Sequence, residues 1–195
     1  MTNSTYNQLT ITTTGQAIRA TLHASAKTDV RYYLNGICLS QEHNAIVSTS
    51  GNYLFKTDVE YLTKTEDKEN VILENFKLPA AVTKVVIRIT NKAVVADVEM
   101  WDKKGNSVSM LRVPIIDGTF PNWMRVMPQR EQQQQLPKEI DFNATFLALA
   151  EKIYGKNKPV KLAFFDDMGK TTIEPAKDNV LNQILVLMPL NLDRL

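Results

Sequence analysis

Residues 8–13 (Gln-Leu-Thr-Ile-Thr-Thr) alternate apolar and polar side chains, and the β-branched residues among them favour extended backbone, so the spacing predicts a strand. A helix is expected next, from Thr14, whose hydroxyl can cap it, to about Ala26. Ile18 and Leu22, four apart, would face the core with Ala17 and Thr21 beside them, while Arg19, His23 and Lys27 recur at the same spacing on another face. That second face reads either as a solvated stripe or as one turned toward DNA. Val30–Leu39, Ala45–Ser48 and Tyr53–Val59 read as strands, with turns at Gln41–Asn44 and Ser50–Asn52.

Glu66-Asp-Lys-Glu-Asn70 reads as a charged loop between units. Val71-Ile-Leu73 opens a second unit, and Pro79 limits its helix to a turn or two around Leu78–Thr83. Val85–Thr90, Ala93–Trp101 and Ser107–Ile116 follow as strands, with Asp102-Lys-Lys104 and Gly105 turning the last hairpin. The polar, low-complexity stretch 129–137 (Gln-Arg-Glu-Gln-Gln-Gln-Gln-Leu-Pro) reads as a linker. Beyond it Ile140 and Phe142 end a strand, and Asn143 caps a helix with Phe146, Leu149, Ala150 and Ile153 on its apolar face and Lys152 and Lys156 away from it. Val160–Phe165, Thr171–Glu174 and Gln183–Met188 complete the pattern as strands. Strand, helix and three strands thus occurs clearly twice and imperfectly once, a repeat of pattern rather than of sequence.

Composition narrows the class. At 195 residues, with 44% hydrophobic and 23% charged residues, the chain is an ordinary globular protein of one or two compact units. Its longest apolar run, Ile184 to Leu190, is far short of a membrane span, and its first residues lack the basic and apolar regions of a signal peptide. A single Cys38 allows no internal disulfide and fits the cytoplasm. The net charge of +2 selects no partner, so any nucleic-acid contact would rest on a local basic surface. The two Asn-x-Thr triplets, at Asn3 and Asn143, read as chance matches.

Candidate catalytic chemistry is sparse, so no enzyme, metal or cofactor is expected. His23 falls on the helix surface and His43 in a turn; with one cysteine and two separated histidines there is no zinc spacing. Cys38 sits in a β-rich run and reads as a small core residue. Gly169-Lys-Thr-Thr172 echoes the end of a phosphate-binding loop, but Phe164 stands where the earlier glycine is needed, so a hairpin turn is the better reading. Asp166 and Asp167 are then turn carboxylates.

Four segments carry a resemblance: Asp29-Val-Arg-Tyr-Tyr-Leu-Asn-Gly36, Thr49-Ser-Gly-Asn-Tyr-Leu54, Asp117-Gly-Thr-Phe-Pro-Asn-Trp-Met-Arg-Val-Met-Pro128 and Val186-Leu-Met-Pro-Leu-Asn-Leu192. Each resembles a motif of the bacterial DNA polymerase III β subunit, the DNA sliding clamp, in the order of that family's middle and C-terminal domains. The resemblance implies an α+β DNA-clamp fold, with antiparallel sheets and a few helices on the inner face of a ring-forming oligomer. It divides the chain into 1–128, similar to the middle domain, the linker 129–137, and 138–195, similar to the end of the C-terminal domain. The family's first domain and half of its last have no counterpart, Asn52 and Tyr53 replace a His-Arg pair, Met124 and Asn191 replace arginines, and Asp193-Arg-Leu195 extends past the usual end. Such trimming resembles a phage or mobile-element version.

In that family the motifs converge on a groove that binds a Gln-Leu-x-Leu-Phe peptide of polymerases and other clients. Carried over, Leu34, Thr49, Gly51, Leu54, Pro121, Arg125, Val126, Phe146, Val186, Met188, Pro189 and Leu190 would line it. Arg19, Lys27, Lys152 and Lys156 would face the phosphates of duplex DNA without reading its sequence. The implied function is a DNA replication processivity factor, with a DNA polymerase, other clamp-motif proteins and a clamp loader as partners; the alternative is a peptide-binding module or decoy that forms no ring. Family rings resemble twelve strand-and-helix units, so three units per chain favour a homotetramer over a trimer or dimer.

Overall fold

The computed structural model describes residues 8–66, 69–90, 93–128, 142–165 and 170–188. β1 (Gln8–Thr14) runs straight into α1 (Gly15–Ala24). The Thr14 hydroxyl accepts the Ala17 N–H at 3.1 Å, satisfying one of the donors a helix start leaves open. Gly15 is required there, because a β-carbon would stand 2.2 Å from the Val82 carbonyl oxygen. Ile18 and Leu22 enter the core as their spacing predicts, and Ala20 and Ala24 are buried as well, because a second helix packs beside α1.

The strand expected over 30–39 begins only at Gly36. Asp29 N–H donates to Asn35 Oδ1 at 2.8 Å, Asn35 Nδ2 donates back to the Asp29 carbonyl at 2.9 Å, and Arg31 binds the Asp29 carboxylate. These local bonds fold the segment into a loop with a 3-10 turn at Tyr32–Leu34, in place of a ladder. β2 (Gly36–Ser40), β3 (Ala45–Thr49) and β4 (Tyr53–Asp58) follow, joined by the turns foreseen at 41–44 and 50–52. β5 (Glu60–Thr63), not foreseen, pairs with β1.

β6 (Val71–Glu74) and β7 (Lys84–Thr90) are linked without a helix. The helical turn expected around 78–83 is a tight turn instead, closed by Val82 N–H donating to Pro79 O at 3.1 Å. β8 (Val95–Trp101) and β9 (Ser107–Pro114) form the hairpin at Gly105, whose φ is +82°. The Asp102 carboxylate accepts the Lys104 and Asn106 N–H groups and so closes that turn. A second 3-10 turn, Trp123–Val126, was not foreseen.

The last helix is α2 (Ala144–Tyr154), capped by Asn143 Oδ1 accepting Thr145 N–H at 2.9 Å. β10 (Val160–Phe165), β11 (Lys170–Pro175) and β12 (Ile184–Leu187) then follow as predicted. Phe142 is not in a strand; Ile140, the 129–137 linker, Asp166, Asp167 and Gly169 lie outside the described residues.

Among the described residues all pairing is antiparallel, in a five-stranded sheet β5-β1-β7-β8-β9 and a seven-stranded sheet β10-β11-β12-β4-β3-β2-β6. The expected units exchange strands: β1 joins β7–β9, whereas β6, read as the start of a second unit, pairs with β2. β12 extends the larger sheet through four register pairs with β4, from Ile184↔Lys56 to Leu187↔Tyr53. Strand alternation then sorts side chains by face. Phe55, Leu185 and Leu187 pack with Leu149 and Ile153 of α2 on one face; Leu54 and Val186 pack with Cys38, Phe120 and Trp123 on the other.

Candidate functional site

On the face away from the helices, Thr49, Gly51, Leu54, Val126, Val186 and Met188 meet around a small cavity of about 50 Å³, together with Tyr53. The sequence sets this arrangement locally. Thr49 Oγ1 donates to the Tyr53 carbonyl at 2.5 Å and accepts Gly51 N–H at 3.0 Å, pinching 49–53 into a tight turn that needs φ +90° at Gly51. Met188 N–H donates to Asn52 O at 3.1 Å, laying the end of β12 along that turn. Val126 arrives on the second 3-10 turn, anchored by the buried Trp123 beneath it. The result is an apolar wall of Leu54, Val126, Val186 and Met188 beside polar turn groups, the chemistry of a slot for aliphatic or aromatic anchors.

The other residues assigned to this groove fall differently. Leu34 is 1% exposed and lies beneath the cavity, packed in the cluster of Leu54 and Val186. Pro121 and Arg125 are exposed and outside the cavity lining. Phe146 is on the opposite face, its ring edge-on to Tyr53 at 5.2 Å between centroids, because α2 packs on that side of the sheet. Pro189 and Leu190 lie outside the described residues. Tyr53, which sequence reading missed, borders the cavities of both faces. Its signal was its place inside the Thr49–Leu54 motif.

The helices carry the basic groups. Arg19 spends its guanidinium within the chain, Nη1 donating to Pro79 O at 3.1 Å and Nη2 to Val82 O at 2.9 Å, so it braces the β6–β7 turn. Lys27 lies past the end of α1 and folds back, its Nζ donating to Leu22 O at 2.6 Å and Ser25 Oγ at 3.3 Å, where a cation offsets the negative end of the helix dipole. Burial lowers its pKa. Lys152 is exposed on α2, and Lys156 is exposed just past Gly155, where that helix ends. His23 has its pKa lowered first by burial, then by Lys27, Lys152 and Arg19, so one field joins these four groups. His23, Lys27, Lys152, Tyr53, Phe146 and Leu149 border a cavity of about 450 Å³ at the seam of α1 and α2.

Cys38 is fully buried beside Leu54 and Val186, and burial pushes its thiol up to about 12. His43 stands edge-on to Trp123 at 5.0 Å, with Nδ1 3.1 Å from Ser40 Oγ. Among the described residues no three His, Cys, Asp or Glu side chains gather as a metal site would require.

No protein-family model and no curated protein matches the chain. Solved structures do. The DNA polymerase III subunit beta from Pseudomonas aeruginosa superposes with a TM-score of 0.63 at 15% identity, over 98% of this chain and 69% of that one. A DNA polymerase sliding clamp from the same organism, with ligand, gives 0.67 at 17% identity, over 94% and 67%. A sliding clamp from Bartonella birtlesii, bound to griselimycin, gives 0.67 at 15% identity, over 94% and 66%. The chain therefore has the fold of the DNA polymerase III β-subunit clamps and spans about two thirds of their length.

Proposed function

We propose that this chain is a non-enzymatic sliding clamp: copies of it close around duplex DNA, and the cavity at Thr49, Leu54, Val126, Val186 and Met188 takes the anchor residues of client peptides. One observation carries the reading. The seven-stranded sheet puts the apolar cavity on one face and the two helices, with their basic groups, on the other, as a protein holding DNA on one side and clients on the other requires. On this reading residues 1–128 act as a clamp domain, 138–195 as half of another joined by 129–137, and the setting is cytoplasmic replication, of a phage or mobile element, with a polymerase and a clamp loader as partners.

Titration with a Gln-Leu-x-Leu-Phe peptide tests the groove. Micromolar affinity, about −8 kcal/mol, is expected. Val126→Asp, at a half-buried position, should abolish it by placing an unpaired charge in the slot. Identical titration curves for the two proteins would remove the groove from the account. Light scattering tests the ring: among the described residues the sheet edges at β5, β9 and β10 leave backbone groups for neighbouring copies, a tetramer is the expected assembly, and a monomeric mass at micromolar concentration would refute the ring.

A specific observation favours a second reading. Arg19 donates from both Nη groups to backbone carbonyls of its own chain, which leaves one cation fewer for phosphates. A module that captures clamp-binding peptides without a ring needs none.

A further inference from the structure

The cavity at the helix seam is concave and composite, and duplex phosphates alone do not account for it. Its volume of about 450 Å³ lies within the range of small-ligand sites. Two aromatic rings, Tyr53 and Phe146, form one part of its lining, set edge to face. Two cations, Lys27 and Lys152, and the His23 imidazole form another; burial, then the neighbouring Lys27 and Lys152, lower the His23 pKa, so its ring serves a phosphate as a neutral hydrogen-bond donor while the lysines carry the charge. Asp29 also borders the cavity, but Arg31 Nε and Nη2 hold its carboxylate at 2.9 and 2.7 Å, so its charge is answered outside the basic cluster. The Lys27 ammonium is fixed in place by Leu22 O and Ser25 Oγ, which lowers the cost of ordering it around a ligand.

Stacked base pairs present only their edges and backbone and cannot enter such a hollow. An unstacked base offers a π-face for aromatic rings, and its phosphate a charge for the basic rim; this pairing of aromatic platform and cation is how single strands are held without sequence preference. We propose that this cavity binds one unstacked nucleotide of single-stranded DNA, the base against Phe146 and Tyr53 and the phosphate among His23, Lys27 and Lys152. The inference deepens the clamp reading, which supplies the DNA; a nucleotide site at the seam would mark the place where duplex gives way to single strand. Tyr53 also borders the peptide cavity, so an occupied seam lies one side chain away from a bound client.

The test compares labelled oligothymidylate with an abasic strand of equal length by fluorescence anisotropy on the intact protein. The two strands carry the same phosphates and differ only in bases. Oligothymidylate should bind at least about five-fold more tightly, as loss of base stacking predicts. Phe146→Leu, which keeps an apolar side chain but removes the ring, should erase that preference, and Lys152→Glu should weaken both strands. Equal binding of the two strands by the unaltered protein overturns the proposal, whatever the variants do. So does displacement by an oligoglutamate peptide as effective as by unlabelled oligothymidylate, because the site would then be reading charge alone. Retained peptide titration in the groove alongside either negative result confines the failure to this inference; loss of peptide and duplex binding together overturns the clamp reading itself.

Discussion

Arg31 stands over Gly51 so closely that a β-carbon on Gly51 would lie 2.8 Å from Arg31 Nη2. The contact joins the loop after α1 to the turn that closes the apolar cavity, and Arg31 Nη2 also reaches Ser50 O at 3.4 Å. Gly51→Ala would force both a φ of +90° on a residue with a β-carbon and a shift of the guanidinium. The guanidinium is flexible; the backbone is not. A cost on the order of 1–3 kcal/mol is expected, together with weaker peptide binding as Thr49 and Tyr53 lose register. A thermal melt and a peptide titration that both match the unaltered protein would show that the turn tolerates another conformation.

The roles of Arg19 and Lys152 can be separated. Arg19→Ala removes two hydrogen bonds to the carbonyls of Pro79 and Val82, so denaturant midpoints should fall by an amount equivalent to about 1–3 kcal/mol. Lys152→Glu, on an exposed helix position, should leave the midpoint nearly unchanged and reduce duplex association, more so at low salt. A reversed pattern, with Arg19 governing DNA and Lys152 governing stability, would contradict the geometry.

How far these features could be read in advance follows from the range of the interactions behind them. α1 was legible because Thr14 caps it three residues ahead and Ile18 and Leu22 repeat one turn apart, all within a single helix. Lys27 was misplaced by extending the four-residue spacing past Ala24, where the helix stops. Arg19 fell on the predicted face, but its partners lie 60 and 63 positions away in sequence, beyond any local pattern. β5 has only four residues, and its place is decided by the free edge of β1. The cavity was half legible: its strand-end and turn residues converge, whereas Phe146 was carried over from the family resemblance, and no local pattern tells which face of the sheet α2 covers.

Asp29 supplies a pH test for the loop at the helix seam. The Arg31 side chain, and then its backbone N–H, hold the Asp29 carboxyl at about 2, below its ordinary 3.8. A carboxyl with a lowered native value stabilises the fold above its unfolded value and loses that contribution as pH falls toward the native one. Ordering of residues 29–35 should therefore persist at pH 4 and decline as pH approaches 2. Carboxyl NMR should give Asp29 a midpoint near 2, moving toward the ordinary value in Arg31→Ala. An ordinary midpoint in the unaltered protein would mean that the pair does not hold in solution.

Cys38 tests the packing behind the apolar cavity. It is fully buried on the same face as Leu54 and Val186, and burial pushes its thiol to about 12 from 9.0. Only thiolate attacks a thiol reagent, so at pH 8 the native protein should be nearly inert and labelling should report the opening of the sheet. Once opened, the thiol ionises like a free one, so between pH 8 and pH 10 the labelling rate should stay well below that of a model thiol by a near-constant factor that reports the opening equilibrium. The linkage has a definite sign: the unfolded thiol loses its proton above about 9 while the native one keeps it, so this group's contribution to stability falls as pH climbs from 9 toward 12. If the proposed client peptide binds in front of Leu54 and Val186, it should slow labelling further. Rapid labelling at pH 8, unaffected by peptide, would place solvent behind the groove wall and dismantle the cavity described here.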